Sequence, residues 1–289
     1  MEIPIKKLNS GFSIPTFGLG TWRMGGDRKR DLFNDDKGQI AAIRRAIDAG
    51  ITHIDTAELY AEGHSEELVG EAIKQYDREK LCIVSKVLPI HLHYDDVITA
   101  LNNSLKRLQT HYLDLYLIHQ PNNDIPIGET LRAFDYLKKE GKIKNIGVSN
   151  FTPKRLEEAQ KHTTNKIVAN QVHYNLMYRE PERTGLVQYC QDHDVIIVAW
   201  RPVENVIMTA KDIEILNQMC EKYKKTPAQI AINWLISQPN VVAISKMTKE
   251  EHLRENLGSV GWEMDEKDIK KLRSDFPNQQ DISNAVRLQ

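Results

Sequence analysis

The chain has only three cysteines, Cys82, Cys190 and Cys220, an odd number with no shared spacing. That excludes a disulfide framework and suits reduced thiols in a cytoplasm. Cys82 lies in an apolar run and reads as a buried, inert thiol. No Cys/His cluster has metal-ligand spacing, so no metal is expected. No apolar stretch approaches the ~20 residues of a membrane span. The stretch Met1–Gly11, with Glu2, Lys6 and Lys7, lacks the apolar centre of a signal segment. Neither charge sign is in excess: 39 Lys+Arg stand against 40 Asp+Glu, a net charge of -1. That balance excludes the electrostatic footprint of a nucleic-acid or anionic-membrane partner. The short basic runs Arg28-Lys29-Arg30 and Lys138-Lys139 have acidic residues nearby and read as solvated faces. Also absent are a G-x-G-x-x-G turn after a strand, a G-x-x-x-x-G-K-[ST] loop and a G-x-S-x-G elbow, which argues against a Rossmann domain, a P-loop and a serine hydrolase.

What is present is a repeated order of elements in 289 residues, 40% of them hydrophobic. Short β-branched runs alternate with longer amphipathic segments. The spacing predicts strands over Thr16–Thr21, Thr52–Thr56, Leu81–Lys86, Leu113–His119, Ile143–Ser149, Ile167–Gln171, Val195–Trp200 and Val241–Ser245. Several are apolar almost throughout, as strands buried on both faces must be. Helices are expected over Gln39–Ala49, Ser65–Tyr76, Asp95–Leu108, Glu129–Glu140, Pro153–Lys161, Thr184–His193, Lys211–Tyr223, Pro227–Ser237 and Lys249–Leu257. Thr226-Pro227 has the form of an N-cap followed by proline at the first helical position, and Gly50 and Gly141 stand where helices end. Eight strand–helix units without a linker fit one (β/α)8 TIM barrel, a single domain over residues 1–289; an open doubly wound sheet is the alternative. Ile3–Leu8 and Phe12–Ile14, joined by Asn9-Ser10-Gly11, read as a hairpin capping the barrel bottom.

Barrel sites sit at the C-terminal ends of the strands. Those ends carry Thr21-Trp22, Asp55, Lys86, His119, Ser149-Asn150, Gln171, Trp200-Arg201 and Lys246, with Tyr60 in the turn after Asp55. Each alone has an ordinary reading: a lysine reaching water, a hydrogen-bonded histidine, a packing tyrosine. Together they are a polar, titratable set at one end of an apolar scaffold. Asp55 can pair with Lys86, whose ammonium would lower the Tyr60 pKa from ~10 by favouring phenolate. His119 can donate to an oxygen that is gaining negative charge. A tyrosine proton and a developing alkoxide suggest carbonyl reduction, which needs a hydride source. Glu58, between Asp55 and Tyr60, is expected only to face solvent or cap the turn.

The motifs GLGTW (Gly18–Trp22), DTAELY (Asp55–Tyr60), SK (Ser85-Lys86), IHQP (Ile118–Pro121), IGVSNF (Ile146–Phe151), NQVHYN (Asn170–Asn175) and ISKMTKEEHLREN (Ile244–Asn256) fall in order, almost one per strand end. In them the chain resembles the aldo-keto reductases along nearly its whole length. The resemblance implies a catalytic set of Asp55, Tyr60, Lys86 and His119, with Tyr60 as general acid. It implies NADPH as cofactor, with NADH a weaker alternative. Ser149, Asn150 and Gln171 match residues on the nicotinamide carboxamide, and Trp200 stands where a tyrosine usually stacks on the ring. Lys246 and Thr248 match 2′-phosphate contacts, and Glu255 and Asn256 match adenine contacts. Thr21, Trp22, Arg201, Met247 and His252 complete the expected cofactor set. Trp22, Tyr60, His119 and Gln120 are expected to line the pocket of a small-molecule carbonyl substrate.

Besides Trp200, the chain departs from the family pattern at two more of these positions. His252 replaces a common arginine, which weakens the grip on the 2′-phosphate, and Gln120 replaces a bulky aromatic. Short loops after His119 and Trp200, and a short tail beyond Phe276, imply an open pocket. Residues 23–37 form either one wall of it or a disordered surface loop. The expectation is a cytoplasmic, monomeric reductase of aldehydes, and of ketones. The alternatives are an NADPH-binding regulatory barrel with little turnover and a phosphosugar isomerase or aldolase using Lys86 as a Schiff base. Missing glycine-rich phosphate loops after strands seven and eight count against the last.

Overall fold

The computed structural model describes residues 2–204 and 213–289. Strands β1 (Ile5–Lys7) and β2 (Ser13–Pro15) pair antiparallel; eight further strands form a closed parallel barrel. These are β3 (Phe17–Gly20), β4 (His53–Asp55), β5 (Cys82–Val87), β6 (Leu115–Ile118), β7 (Ile146–Ser149), β8 (Ile167–His173), β9 (Ile196–Trp200) and β10 (Val241–Ser245). They neighbour one another in chain order, and β10 closes on β3. Closure excludes the open doubly wound sheet.

Helices α1 (Asp36–Asp48), α2 (His64–Ile73), α3 (Tyr94–Leu108), α4 (Ile127–Lys139) and α5 (Pro153–Gln160) fall between successive strands. They are followed by α6 (Glu180–Arg183), α7 (Leu186–Asp192), α8 (Glu214–Tyr223), α9 (Pro227–Ile236), α10 (Glu250–Leu257) and α11 (Glu266–Asp275). The start of the helix expected over residues 211–223 lies outside the described residues. The capping expectations hold: Thr226 and Gln229 form a reciprocal capping box at α9, which satisfies donors that the first helical turn leaves free. Gly50 turns the chain at φ +104 after α1, a conformation that costs glycine little. Helix α11 was not expected from the sequence. Eight of its ten residues are polar or charged and only Leu272 and the half-buried Ile269 carry its apolar stripe, too sparse a pattern to announce a helix.

The barrel interior follows from the two-residue period of a strand. Val84, Leu115, Leu117, Ile196, Val198, Val242 and Ile244 form one buried apolar cluster inside the barrel. Leu8, Phe12 and Ile14 of the hairpin belong to the same cluster, so the hairpin plugs the barrel floor. It is tied there by the N–H groups of Asn9 and Ser10, which donate to Asp194 just before β9, and by Lys6, which donates to the carbonyl of Gln238 just before β10. Near the floor, a Cβ added at Gly18 would come within 2.6 Å of the His53 ring, so glycine on β3 makes room for a buried imidazole at the start of β4, level with Cys82 of β5. Stepping by two from Val84, Leu117, Ala169, Val198 and Ile244 of the apolar layer leads to Lys86, His119, Gln171, Trp200 and Lys246, and from the buried His53 to Asp55. The period that fills the floor with hydrocarbon therefore delivers the polar groups to the opposite rim.

Candidate active site

The centre of the rim is an ion pair out of reach of water. Lys86 Nζ donates to Asp55 Oδ1 at 2.6 Å, to the Thr56 carbonyl at 2.8 Å and to Tyr60 Oη at 3.2 Å. Lys86 is 0% exposed and Asp55 1%. Burial works against the lysine charge, but the Asp55 carboxylate and the Tyr60 oxygen outweigh it and hold the ammonium above its ordinary range. The second Asp55 oxygen accepts from Gln171 Nε2 at 2.7 Å, so this carboxylate is bound on both sides.

Tyr60 departs from expectation. Lys86 does pull its pKa down, but burial pushes up more strongly and Asp55 adds to it, so the net shift is upward. The phenol keeps its proton at neutral pH. Trp22 meets its ring edge-on at 4.9 Å between centroids, and His119 at 5.7 Å. The His119 imidazole is held well below its ordinary pKa by burial, then by the charges of Lys86 and Arg28. It is neutral at physiological pH, and its Nδ1 is buried with no partner among the described residues. Gln120 follows it, half-buried.

Glu58 is a correction. It is buried, not solvated: Oε1 accepts the Leu88 N–H at 2.6 Å and faces His91 Nδ1 at 3.1 Å. It clamps the chain leaving β5 and so steadies the end of the strand that carries Lys86. Partners thirty and more positions away in sequence are not readable from the sequence.

The remaining rim is layered with hydrogen bonds. Ser149 Oγ donates to the Gln171 carbonyl at 2.8 Å and accepts from Asn150 Nδ2 at 2.9 Å; that amide also reaches the His119 carbonyl at 3.3 Å. Asn150 Oδ1 is left buried without a partner among the described residues. Asn150, Arg201 and Arg23 each have φ between +54 and +65, so the chain reverses sharply just beyond β7, β9 and β3; such left-handed residues cluster at functional sites. Thr21 is buried, with its hydroxyl spent on the Asp55 carbonyl at 3.0 Å.

Trp200, half-buried, has one indole face against His173, with ring centroids 4.4 Å apart and planes 10° from parallel. The two residues are direct cross-strand partners. His173 is a site residue that the strand-end reading passed over, because β8 runs two residues past the expected Gln171. Asn170 and Gln171 interrupt the apolar run before it, so the sequence pattern closed the strand early although all of Ile167–His173 is buried. Arg201 pairs with Glu204 at 3.0 Å, its guanidinium 5.3 Å from the indole centroid.

Beyond β10, Lys246 is exposed, and burial of its stem together with the charge of Arg23 lowers its pKa. Met247 is buried and Thr248 half-buried. On α10, His252 is exposed, Glu255 half-buried, and the buried Asn256 donates to Ser245 Oγ at 3.3 Å. These residues form a second station on the same rim, displaced from the ion pair.

Residues 23–37 are a wall and not a free loop. The Asp31 N–H donates to the Gly25 carbonyl, and Gly25 N–H donates to Gln39 Oε1. Of the loop after Trp200, residues 205–212 lie outside the described residues. All three cysteines are free thiols, Cys190 buried and Cys82 and Cys220 half-buried. Among the described residues no helix is long and apolar enough to cross a membrane.

With fold and site in hand, comparison with known proteins gives the class. The Aldo/keto reductase family model matches residues 16–274, and the chain belongs to that family. It is 37% identical over 270 residues to the glyoxal reductase of Bacillus subtilis (strain 168), covering 92% of this chain and 90% of that protein. It is similar in structure to a thermostable aldo-keto reductase in complex with the inhibitor epalrestat (TM-score 0.90, 45% identity, 94% of this chain and 99% of that one). An aldo-keto reductase from Klebsiella pneumoniae in complex with NADPH superposes over 100% of this chain and 99% of its own, with a TM-score of 0.84 and 34% identity.

Proposed function

We propose that this protein reduces aldehydes, and ketones, to alcohols with NADPH, Tyr60 being the general acid. The observation that carries the reading is the buried chain Asp55–Lys86–Tyr60, in which a locked ammonium touches a phenol at the barrel rim. NADPH, when bound, supplies the hydride. The residues present suit it: Asn150 Oδ1 is a buried acceptor lacking a donor, as a carboxamide would provide. Trp200 is half-buried at the rim with one face held by His173, and a planar ring would stack on its other face. Ser149, Asn150, Gln171 and Trp200 would hold the nicotinamide end, with Thr21, Trp22 and Arg201 around it. Lys246, Met247, Thr248, His252, Glu255 and Asn256 would hold the adenosine end and its phosphate.

The protein's part in the chemistry is then electrostatic and protonic. The substrate oxygen takes a hydrogen bond from the neutral His119 and another from Tyr60. As negative charge grows on that oxygen, its basicity rises toward that of an alkoxide, well above that of a phenolate. A phenol, even one raised by burial, is more acidic and gives up its proton. Lys86 stabilises the phenolate left behind, and Asp55 keeps that lysine charged. The complete set of Asp55, Tyr60, Lys86 and His119 at one rim argues against a regulatory barrel with little turnover. The relatives point to small aldehydes, glyoxal among them.

The test follows NADPH absorbance with glyoxal and an aromatic aldehyde. Wild type should turn over; Tyr60→Phe should lose at least ~10²-fold in kcat, the scale of a general acid, with cofactor Kd barely altered. Near-normal turnover by the variant would remove Tyr60 from the role.

A further inference from the structure

The segment 23–37 leaves β3 at Trp22 and folds back over the turn after Tyr60. Ala61 and Glu62, the two residues following the phenol, both have left-handed φ, 51 and 57. Their N–H groups donate to the carbonyls of Asp27 at 2.8 Å and Arg28 at 3.0 Å. The wall therefore grips the strained turn through its backbone, and this grip sets Arg28 beside the turn that carries Tyr60.

Its charge is free to act there. Arg23 pairs with Asp27 at 3.2 Å, and Arg30 lies 4.0 Å from Glu67. The Glu62 carboxylate accepts from the Arg30 N–H at 3.4 Å. Among the described residues, no carboxylate is within ion-pair distance of the exposed Arg28, yet its charge is felt at His119. The neighbouring acids are engaged: Asp55 by Lys86 and Gln171, and Glu58 by Leu88 and His91. Arg28 acts on the β4–β6 side, where the phenol and imidazole stand. Arg23 acts toward β10 and Lys246. One short segment thus sends one cation to each station of the rim.

We propose that Arg28 is a specificity-determining residue that favours carbonyl substrates bearing a carboxylate, or another anionic group, remote from the reacting carbon. The proposal rests on the reductase reading above. Because Arg28 does not touch the reacting atoms, its attraction should be alike in the bound substrate and the transition state. It should therefore appear in KM and not in kcat. Because the guanidinium is exposed, the effect should be several-fold and sensitive to salt.

The experiment compares para-carboxybenzaldehyde, ionised at neutral pH, with its uncharged methyl ester; because the ester is the more electrophilic aldehyde, Arg28 is read from changes in the acid-to-ester ratio of kcat/KM. In wild type that ratio should fall as salt is added. Arg28→Gln should lower the acid-to-ester ratio of kcat/KM roughly 3- to 5-fold through KM. Arg28→Glu should lower it further, and Arg28→Lys should retain most of it. An unchanged ratio in both Gln and Glu variants overturns the proposal. So does an equal loss on both aldehydes, which would mean that the arginine merely supports the turn. A matching rise in NADPH Kd would assign Arg28 to the cofactor instead and also overturn it. If wild type turns over neither aldehyde, the reductase reading is what fails; the same variants then decide Arg28 by binding of the two aldehydes to the protein–NADPH complex.

Discussion

Replacing Asp55 by asparagine tests the buried pair directly. The change keeps the shape but leaves Lys86, 0% exposed, without its counter-ion. It also sets an amide where Gln171 Nε2 now donates at 2.7 Å, so either Gln171 turns over or two N–H groups face each other. Removing one partner of a buried ion pair costs about 3–5 kcal/mol, because a desolvated charge remains uncompensated. An unfolding entropy of about 2.1 cal/mol/K per residue gives roughly 0.6 kcal/mol/K over 289 residues. The melting temperature should fall by about 5–8 °C. Burial would also drive Lys86 toward its neutral form, so the phenolate left by Tyr60 would lose its support and kcat should drop sharply. The decisive measurement is a double-mutant cycle by denaturant melts. Lys86→Met alone should be destabilised comparably, leaving the carboxylate unpaired, whereas Asp55→Asn with Lys86→Met together should cost less than the sum of the two single changes and remain inactive. Additive single effects would refute the claim that these residues act as one buried pair.

Two further outcomes follow from groups away from that pair. Lys246 is exposed and has Arg23 for a neighbour, so Lys246→Ala should weaken NADPH by about 1.5 kcal/mol, roughly tenfold in Kd, at the low end for a charge-assisted contact. NADH should hardly change and His252→Arg should tighten NADPH; equal losses on both cofactors, read by fluorescence titration, would show that this segment does not sense the phosphate. The buried His53 is lowered from 6.5 to about 4, by burial first, with Asp55 opposing and Lys86 adding. The unfolded chain therefore takes up the proton first: stability is complete above pH 6.5 and is lost as the pH falls toward 4, by about 3 kcal/mol in all. Urea midpoints across that window should fall less steeply in His53→Gln than in wild type, and identical slopes would dismiss the histidine as the source.

The barrel was legible because each strand is a short apolar run closed by a polar residue, and because one strand's outcome does not depend on another's. Strand ends moved by one to three residues where the ladder and the apolar run do not stop together, as in β8, whose pairing with β9 continues past Gln171 to His173. The helix over 266–275 stayed hidden because its fixing contacts, such as Trp234 Nε1 to the Ile269 carbonyl, are made with a helix thirty-five residues earlier. In the site, Asp55, Lys86 and Tyr60 were readable as a pairing of opposite charges near a phenol. The balance on Tyr60 was not, since burial depends on Trp22 and on a wall that polar composition leaves ambiguous between order and disorder. The role of Glu58 was likewise invisible, its partners lying on the loop after β5.

The hairpin plug and the phenol stand at opposite ends of the barrel axis, which matters for anyone fixing this molecule to a solid support. Asn9 sits exposed at the hairpin tip and contributes only its backbone N–H to Asp194. A cysteine in its place would keep that bond and add the one exposed thiol, since Cys190 is buried and Cys82 and Cys220 are half-buried. Coupled through that thiol to a bead or an electrode, every molecule would present its mouth to the bulk solution. A linker on the outer helices would instead lay the barrel on its side.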